Sequence, residues 1–118
     1  MKLNHLNLTV TDASEARKFL EKYFGLRSRE RGEDDDRFAI LRDDDGLVLT
    51  LMKVGEATEV HYPGSFHIGF IQESEERVNA INERLKIDGY EVKPPRRFHG
   101  SWTFYFRAPG GLTIEVLC

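Results

Sequence analysis

The feature that most restricts the fold of this chain is an internal repeat. LNHLNLTV (3–10) aligns with SFHIGFIQ (65–72), which places His5 over His67. DDDGLVLTLM (43–52) aligns with APGGLTIEVL (108–117), which places Gly46 over Gly111 and Thr50 over Glu115. A fold for this sequence must therefore build one unit twice. It must also explain why the second copy carries a carboxylate inside a short apolar strand. Such a group costs several kcal/mol if it is left dry and unpaired.

Local signals give the content of the unit. Asp12 is placed to cap a helix, with Glu15 three residues on as its capping-box partner. Ala16, Phe19, Leu20 and Tyr23 follow at helical spacing, and Gly25 ends the run. Ser74 starts a second such segment with Val78, Ile81 and Leu85, ended by Gly89. Alternating runs at 2–10, 37–42, 46–53, 65–72, 102–107 and 111–117 read as strands. A short strand is expected after each helix, near 27–31 and 90–93. The acidic run Glu33 to Asp36 reads as a solvated turn. The order is strand, helix, three strands, repeated. This predicts an α+β fold of two βαβββ modules whose mixed sheet curls around a cleft. Residues 1–118 form a single domain, with module 1 at about 1–53, a linker at about 54–64 and module 2 at about 65–118.

Strand side chains alternate between faces. The even positions of the strands are apolar: Leu6, Leu8 and Val10, then Phe66, Ile68 and Phe70, then Trp102, Phe104 and Phe106. The odd positions carry His5, Asn7, Thr9, His67, Gly69, Thr103, Tyr105, Arg107, Thr113 and Glu115. That second face has His, Asn, Thr and Tyr where a merely wet face would favour Lys and Glu. A sheet curled to line a cleft accounts for the choice, although antiparallel sheets also leave one face solvated.

His5, His67 and Glu115 share this face. Two imidazoles and one carboxylate form a donor set for one divalent ion, with remaining positions open to water or substrate. The ion's charge would offset the cost of burying Glu115. Mixed nitrogen and oxygen donors suit Mn, Fe, Co, Ni or Zn. The plain alternatives are hydrogen-bonded structural histidines and a Glu115 that meets solvent or pairs with Arg107. KPPRRFHGSW (93–102) concentrates Lys93, Arg96, Arg97, His99 and Trp102 beside the cleft strands. It reads either as a solvated hairpin loop or as a rim for an anionic substrate group, with Arg97 as the binding residue. Tyr105 is a candidate catalytic proton donor or a cleft-filling aromatic. Asn7, Thr50 and Thr103 are candidate substrate contacts.

These residues resemble the vicinal oxygen chelate superfamily, which contains the glyoxalases, bleomycin-resistance proteins and extradiol dioxygenases. The resemblance spans essentially the whole chain and is most specific in FYFRAPGGLTIEVL (104–117). It implies a U-shaped sheet around a metal and a homodimer, often with sites shared between chains. His5, His67 and Glu115 match the family's first-, fifth- and eighth-strand ligands. Thr50 falls where glyoxalase I enzymes carry a fourth ligand, a glutamate, and so argues against that activity. A three-ligand set is similar to that of the extradiol dioxygenases, which commonly have four modules, and of the two-module fosfomycin-resistance thiol transferases. Tyr105 matches a substrate-contacting tyrosine of the latter. The sequence runs only three residues past Glu115, short of the segment in which those transferases carry a substrate-binding arginine.

The expectation is a metal-dependent enzyme acting on a small oxygen-chelating substrate, of lyase, isomerase, thiol transferase or dioxygenase type. The alternative is a metal-free protein that sequesters a drug or metabolite. The net charge of −3 gives no reason to expect nucleic-acid binding. No apolar run is long enough for a membrane span. The first residues, MKLNHLNL, lack the apolar core of a signal peptide. The single cysteine, Cys118, fits a reducing cytoplasm and has no basic neighbour to activate it.

Overall fold

The computed structural model describes residues 1–28, 35–56 and 58–118. Two βαβββ modules follow one another. The first comprises β1 (His5–Thr9), α1 (Ala13–Phe24), β2 (Arg27–Ser28), β3 (Phe38–Arg42) and β4 (Val48–Met52). The second comprises β5 (Ile68–Ile71), α2 (Glu75–Ile87), β6 (Arg96–Phe98), β7 (Ser101–Ala108) and β8 (Leu112–Leu117). Each set of four strands makes one mixed sheet, in the orders β1-β4-β3-β2 and β5-β8-β7-β6. In both, the first and last strands of the module run parallel, β1 with β4 and β5 with β8. By contacts the chain divides into one unit of Met1–Tyr62 with Ala108–Gly111, and a second of Pro63–Arg107 with Leu112–Cys118.

In the first unit, Asp12 caps α1 by accepting the Glu15 backbone N–H at 2.9 Å. The helix buries Ala13, Ala16, Phe19, Leu20 and Tyr23, the stripe expected from the spacing. They pack against Leu8, Leu41, Leu49 and Leu51, all buried. Each such side chain removed from water contributes roughly 1.5–3 kcal/mol. The turn between β3 and β4 is held by Asp43, whose Oδ1 accepts from the backbone N–H groups of Asp45 and Leu47 at 2.9 and 2.8 Å. Gly46 in this turn has φ +88°, and its repeat partner Gly111 has φ +87°. The duplication therefore extends to the backbone conformation that only glycine adopts without strain. Residues 108–111 pack within this unit: the Thr11 N–H donates to the Gly110 carbonyl at 3.1 Å. A Cβ on Gly110 would lie 3.1 Å from that of Ala16 and 3.2 Å from that of Val10. After β4 the chain passes Tyr62, whose hydroxyl donates to the Thr9 carbonyl at 2.7 Å.

In the second unit, Ser74 caps α2 by accepting the Arg77 N–H at 3.2 Å. The helix ends in a paired closure in which Gly89 N–H donates to Lys86 O and Tyr90 N–H to Leu85 O. Val78 and Leu85 enter a core with Phe104, Phe106, Leu112, Ile114 and Val116. Asn82 is also buried, and its Nδ2 donates to the Lys93 carbonyl at 2.8 Å. This bond corrects one expectation. Residues 90–93 are not a strand, because the Lys93 carbonyl is taken by the helix, and Pro94 and Pro95 next to it have no N–H to offer a ladder. The strand forms instead at 96–98, inside the stretch expected as a loop. Strand 65–72 is also shorter than expected, so His67 stands one residue before β5. Of the short strand expected at 27–31, residues 27 and 28 form β2 and the rest lie outside the described residues, as do Glu33 and Asp34.

Candidate functional site

Glu115 sits on β8 with Leu112, Ile114 and Val116 of the opposite face buried around it. Its side chain is 13% exposed. Both carboxylate oxygens are engaged within the second unit. Oε1 accepts from the Thr103 hydroxyl at 2.9 Å, and the same hydroxyl lies 3.0 Å from the Val116 carbonyl. Thr103 is itself almost fully buried, so this hydroxyl fixes the carboxylate from below the surface. Oε2 lies 3.3 Å from Nε2 of His67. Gly69 is directly paired with Glu115 across the parallel strands, and a Cβ there would lie 3.8 Å from Oε2. A methyl group there would make ordinary van der Waals contact with the carboxylate.

His67 is oriented by its other nitrogen. Nδ1 lies 2.9 Å from the Ser65 carbonyl, which can only accept, so Nδ1 carries the proton. In the neutral ring Nε2 is then a lone pair, and it faces a carboxylate oxygen. Two acceptors aimed at one point call for a cation between or beside them, either a proton or a metal ion. A histidine tied to a carbonyl and a carboxylate tied to a hydroxyl are the outer contacts by which proteins orient metal ligands. The pair therefore fits two donors of a metal centre. Tyr105, on β7, stands edge-on to the His67 ring, with centroids 5.2 Å apart and planes at 81°. Burial first, then a hydrogen bond to Glu115 and that group's charge, push the Tyr105 phenol above its usual range, while Arg96 draws it down.

The first unit holds the equivalent positions differently. Asn7 and Thr50, the repeat partners of Gly69 and Glu115, are paired across β1 and β4. The Thr50 hydroxyl donates to Asn7 Oδ1 at 2.6 Å, so the two satisfy each other. His5 stands at the start of β1 with Nδ1 2.9 Å from Asn4 Oδ1. Of the three donors read from the sequence, His67 and Glu115 meet in the second unit and His5 belongs to the first. Among the described residues, no three His, Cys, Asp or Glu side chains form a group able to hold a metal.

The register of β6 separates the two arginines. Arg96 is paired with Thr103 and Arg97 with Trp102. Arg97 lies on the α2 side, ion-paired with Glu75 and 5.4 Å from the Trp102 ring centroid. Trp102 in turn donates from Nε1 to Asn79 of α2 at 2.8 Å. Arg96 takes the face of Thr103 and Glu115. The sequence holds the signal for this, the period-two alternation, but it is usable only once the strand is known to start at Arg96.

A family model for the Glyoxalase/Bleomycin resistance protein/Dioxygenase superfamily matches residues 2–116. The chain belongs to this superfamily. Among solved members and relatives, a possible glyoxalase from Bacillus cereus is 57% identical, with a TM-score of 0.87 over 100% of this chain and 99% of that one. The genomically encoded fosfomycin resistance protein FosX from Listeria monocytogenes is 25% identical, with a TM-score of 0.76 over 99% of this chain and 90% of that one. A glutamate-to-glutamine mutant of FosX has been solved with Mn(II) and 1S,2S-dihydroxypropylphosphonic acid; it is also 25% identical, with a TM-score of 0.75 over 98% and 90% of the two chains. No protein of curated function matches the sequence. The superfamily assignment agrees with the α+β repeat and with both sheet orders. Among the described residues, no helix is long and apolar enough to cross a membrane.

Proposed function

We propose that this superfamily member is a divalent-metal-dependent enzyme acting on a small substrate that presents two adjacent oxygens. The observation that carries the reading is the His67 Nε2 to Glu115 Oε2 approach of 3.3 Å, with Nδ1 committed to the Ser65 carbonyl. His67 and Glu115 are two of the ligands. The third is His5, the repeat partner of His67, supplied by a second copy of the chain in a homodimer with shared sites. The ion is Mn, Fe, Co, Ni or Zn, and Mn(II) bound to the FosX mutant makes manganese the first to test. When bound, such an ion supplies Lewis-acid stabilisation of negative charge developing on a substrate oxygen.

The chain's own residues have separable tasks. Thr103 holds one oxygen of Glu115 and so leaves the other to bind. The Ser65 carbonyl holds His67 in the tautomer whose Nε2 can donate a lone pair. Tyr105 keeps its proton at neutral pH, because burial and the neighbouring carboxylate disfavour the phenolate. It therefore donates a hydrogen bond or proton to substrate rather than accepting one. Asn7 and Thr50, of the same second copy that supplies His5, contribute a polar pair to the substrate. The reaction class is lyase, isomerase, thiol transferase or dioxygenase, and the setting is the cytoplasm.

The test is metal content and Mn(II) titration of the purified dimer, before and after chelator treatment, in the wild type and in Glu115→Gln and His67→Ala. The expected result is one Mn(II) per chain in the wild type and weak or no binding in both variants. Equal and negligible binding in all three would end the enzyme reading and favour a metal-free sequestering protein of the bleomycin-resistance type.

A further inference from the structure

The geometry points to Arg96 as the residue that recognises a separate anionic group of the substrate, a carboxylate or phosphonate, on the face of the sheet that carries Thr103 and Glu115. This rests on reading His67 and Glu115 as a small-molecule site and adds the charge of the molecule that site takes. Cross-strand partners share a face. Arg96 is paired with Thr103, and Thr103 holds Glu115. One residue on, Arg97 points the other way and is neutralised by Glu75. The two adjacent arginines thus have different fates, one spent in fastening β6 to α2 and one turned to the site.

Arg96 is placed and charged for binding. Its guanidinium lies 4.4 Å from the centroid of Phe98, two residues along the same face. Stacking on a ring holds a guanidinium in position without cancelling its charge. Among the described residues it has no ion-pair partner, and it is exposed. A guanidinium offers two parallel N–H donors, which match the oxygens of a carboxylate or phosphonate. The preferred ligand therefore carries vicinal oxygens at one end and an anion at the other.

The test compares three ligands that share a vicinal diol: propane-1,2-diol, glycerate and 1,2-dihydroxypropylphosphonate. Each is titrated into Mn(II)-loaded and chelator-treated protein by calorimetry, and Mn(II) affinity is measured on the same samples. In Arg96→Gln the anionic ligands should weaken about 10- to 100-fold, the worth of a charged hydrogen-bonded pair. Propane-1,2-diol and Mn(II) should change by less than about twofold, as for a surface substitution. Arg96→Lys should recover part of the loss, and Arg97→Gln should leave ligand binding intact while lowering thermal stability. The proposal is overturned if Arg97→Gln weakens the anions as much as Arg96→Gln, if the diol falls in parallel with them, or if the wild type does not prefer the anions. Absent Mn(II) binding with the Arg96-dependent preference retained would overturn the metal reading and support this one. Of the two anions, the one that loses more on Arg96→Gln identifies the group.

Discussion

His67 and Glu115 meet through two atoms that are both acceptors whenever the imidazole is neutral, 3.3 Å apart. The contact is a hydrogen bond only when a proton is added, and a ligand pair when a metal is. Each side chain is held from behind, His67 by the Ser65 carbonyl and Glu115 by the Thr103 hydroxyl.

Thr103→Val keeps the volume and the β-branched shape but removes the hydroxyl that holds Glu115 Oε1. Mn(II) affinity should fall about 10- to 100-fold, the usual effect of losing an outer contact to a ligand. Thermal unfolding of the chelator-treated variant supplies the stability control. An unchanged Mn(II) titration would show that Thr103 does not position the carboxylate.

Tyr105 should be among the last tyrosines to ionise. Its folded pKa is raised above the ordinary phenol value of 10.0, and so is that of Tyr62, in both cases chiefly by burial. The unfolded chain then loses its phenol protons first. Stability from this source is fully present below pH 10.0 and is lost as pH rises through the folded values. In an ultraviolet phenolate titration, Tyr105→Phe should remove a late-titrating component and lessen the alkaline loss of melting temperature. Removal of an early component instead would contradict the assignment.

Asn82→Leu should destabilise the chain by about 0.5–1.5 kcal/mol, the net worth of the hydrogen bond from the buried Asn82 amide to the Lys93 carbonyl. Urea unfolding gives the value. The same variant should loosen residues 90–95, seen as faster amide exchange there than in α1.

Gly110→Ala places a methyl 3.1 Å from the Ala16 Cβ at a backbone φ of +90°. Crowding and left-handed strain act together, for about 1–3 kcal/mol from the strain alone. Gly55→Ala, with φ +65° and open space around it, is the control that carries the strain without the clash. Equal losses in the two variants would mean that the close approach is unimportant.

Much of the fold was legible because the strongest signals are local and repeated. Asp12, Ser74 and the terminating glycines mark helix ends by backbone chemistry that needs no tertiary context. The repeat then set the order of strands. What was not legible depends on a partner distant in sequence. Tyr90-Glu91-Val92-Lys93 alternates like a strand, but a buried amide eleven residues earlier claims its last carbonyl. Displacing the strand from there to 96–98 changes which residues face the site, since a shift of one residue exchanges the faces. Read as a loop, 93–102 gives Arg96 and Arg97 no distinct faces; as a strand, it sets Arg97 beside Glu75 and Arg96 beside Thr103. Within the site, His67 and Glu115 were readable from parity. The role of Ser65, which fixes the tautomer, follows from a backbone carbonyl direction that alternation does not encode.

The first unit is built from two stretches of chain, 1–62 and 108–111. The repeat suggests an ancestral half-length gene, yet the present halves are no longer separable goods. A polypeptide cut at the linker would yield a leading fragment without its last four residues and a trailing fragment whose β7–β8 connection belongs to the other unit. Swapping modules between relatives at that boundary would therefore require the 108–111 turn to travel with the leading half, which a single crossover in the gene cannot achieve.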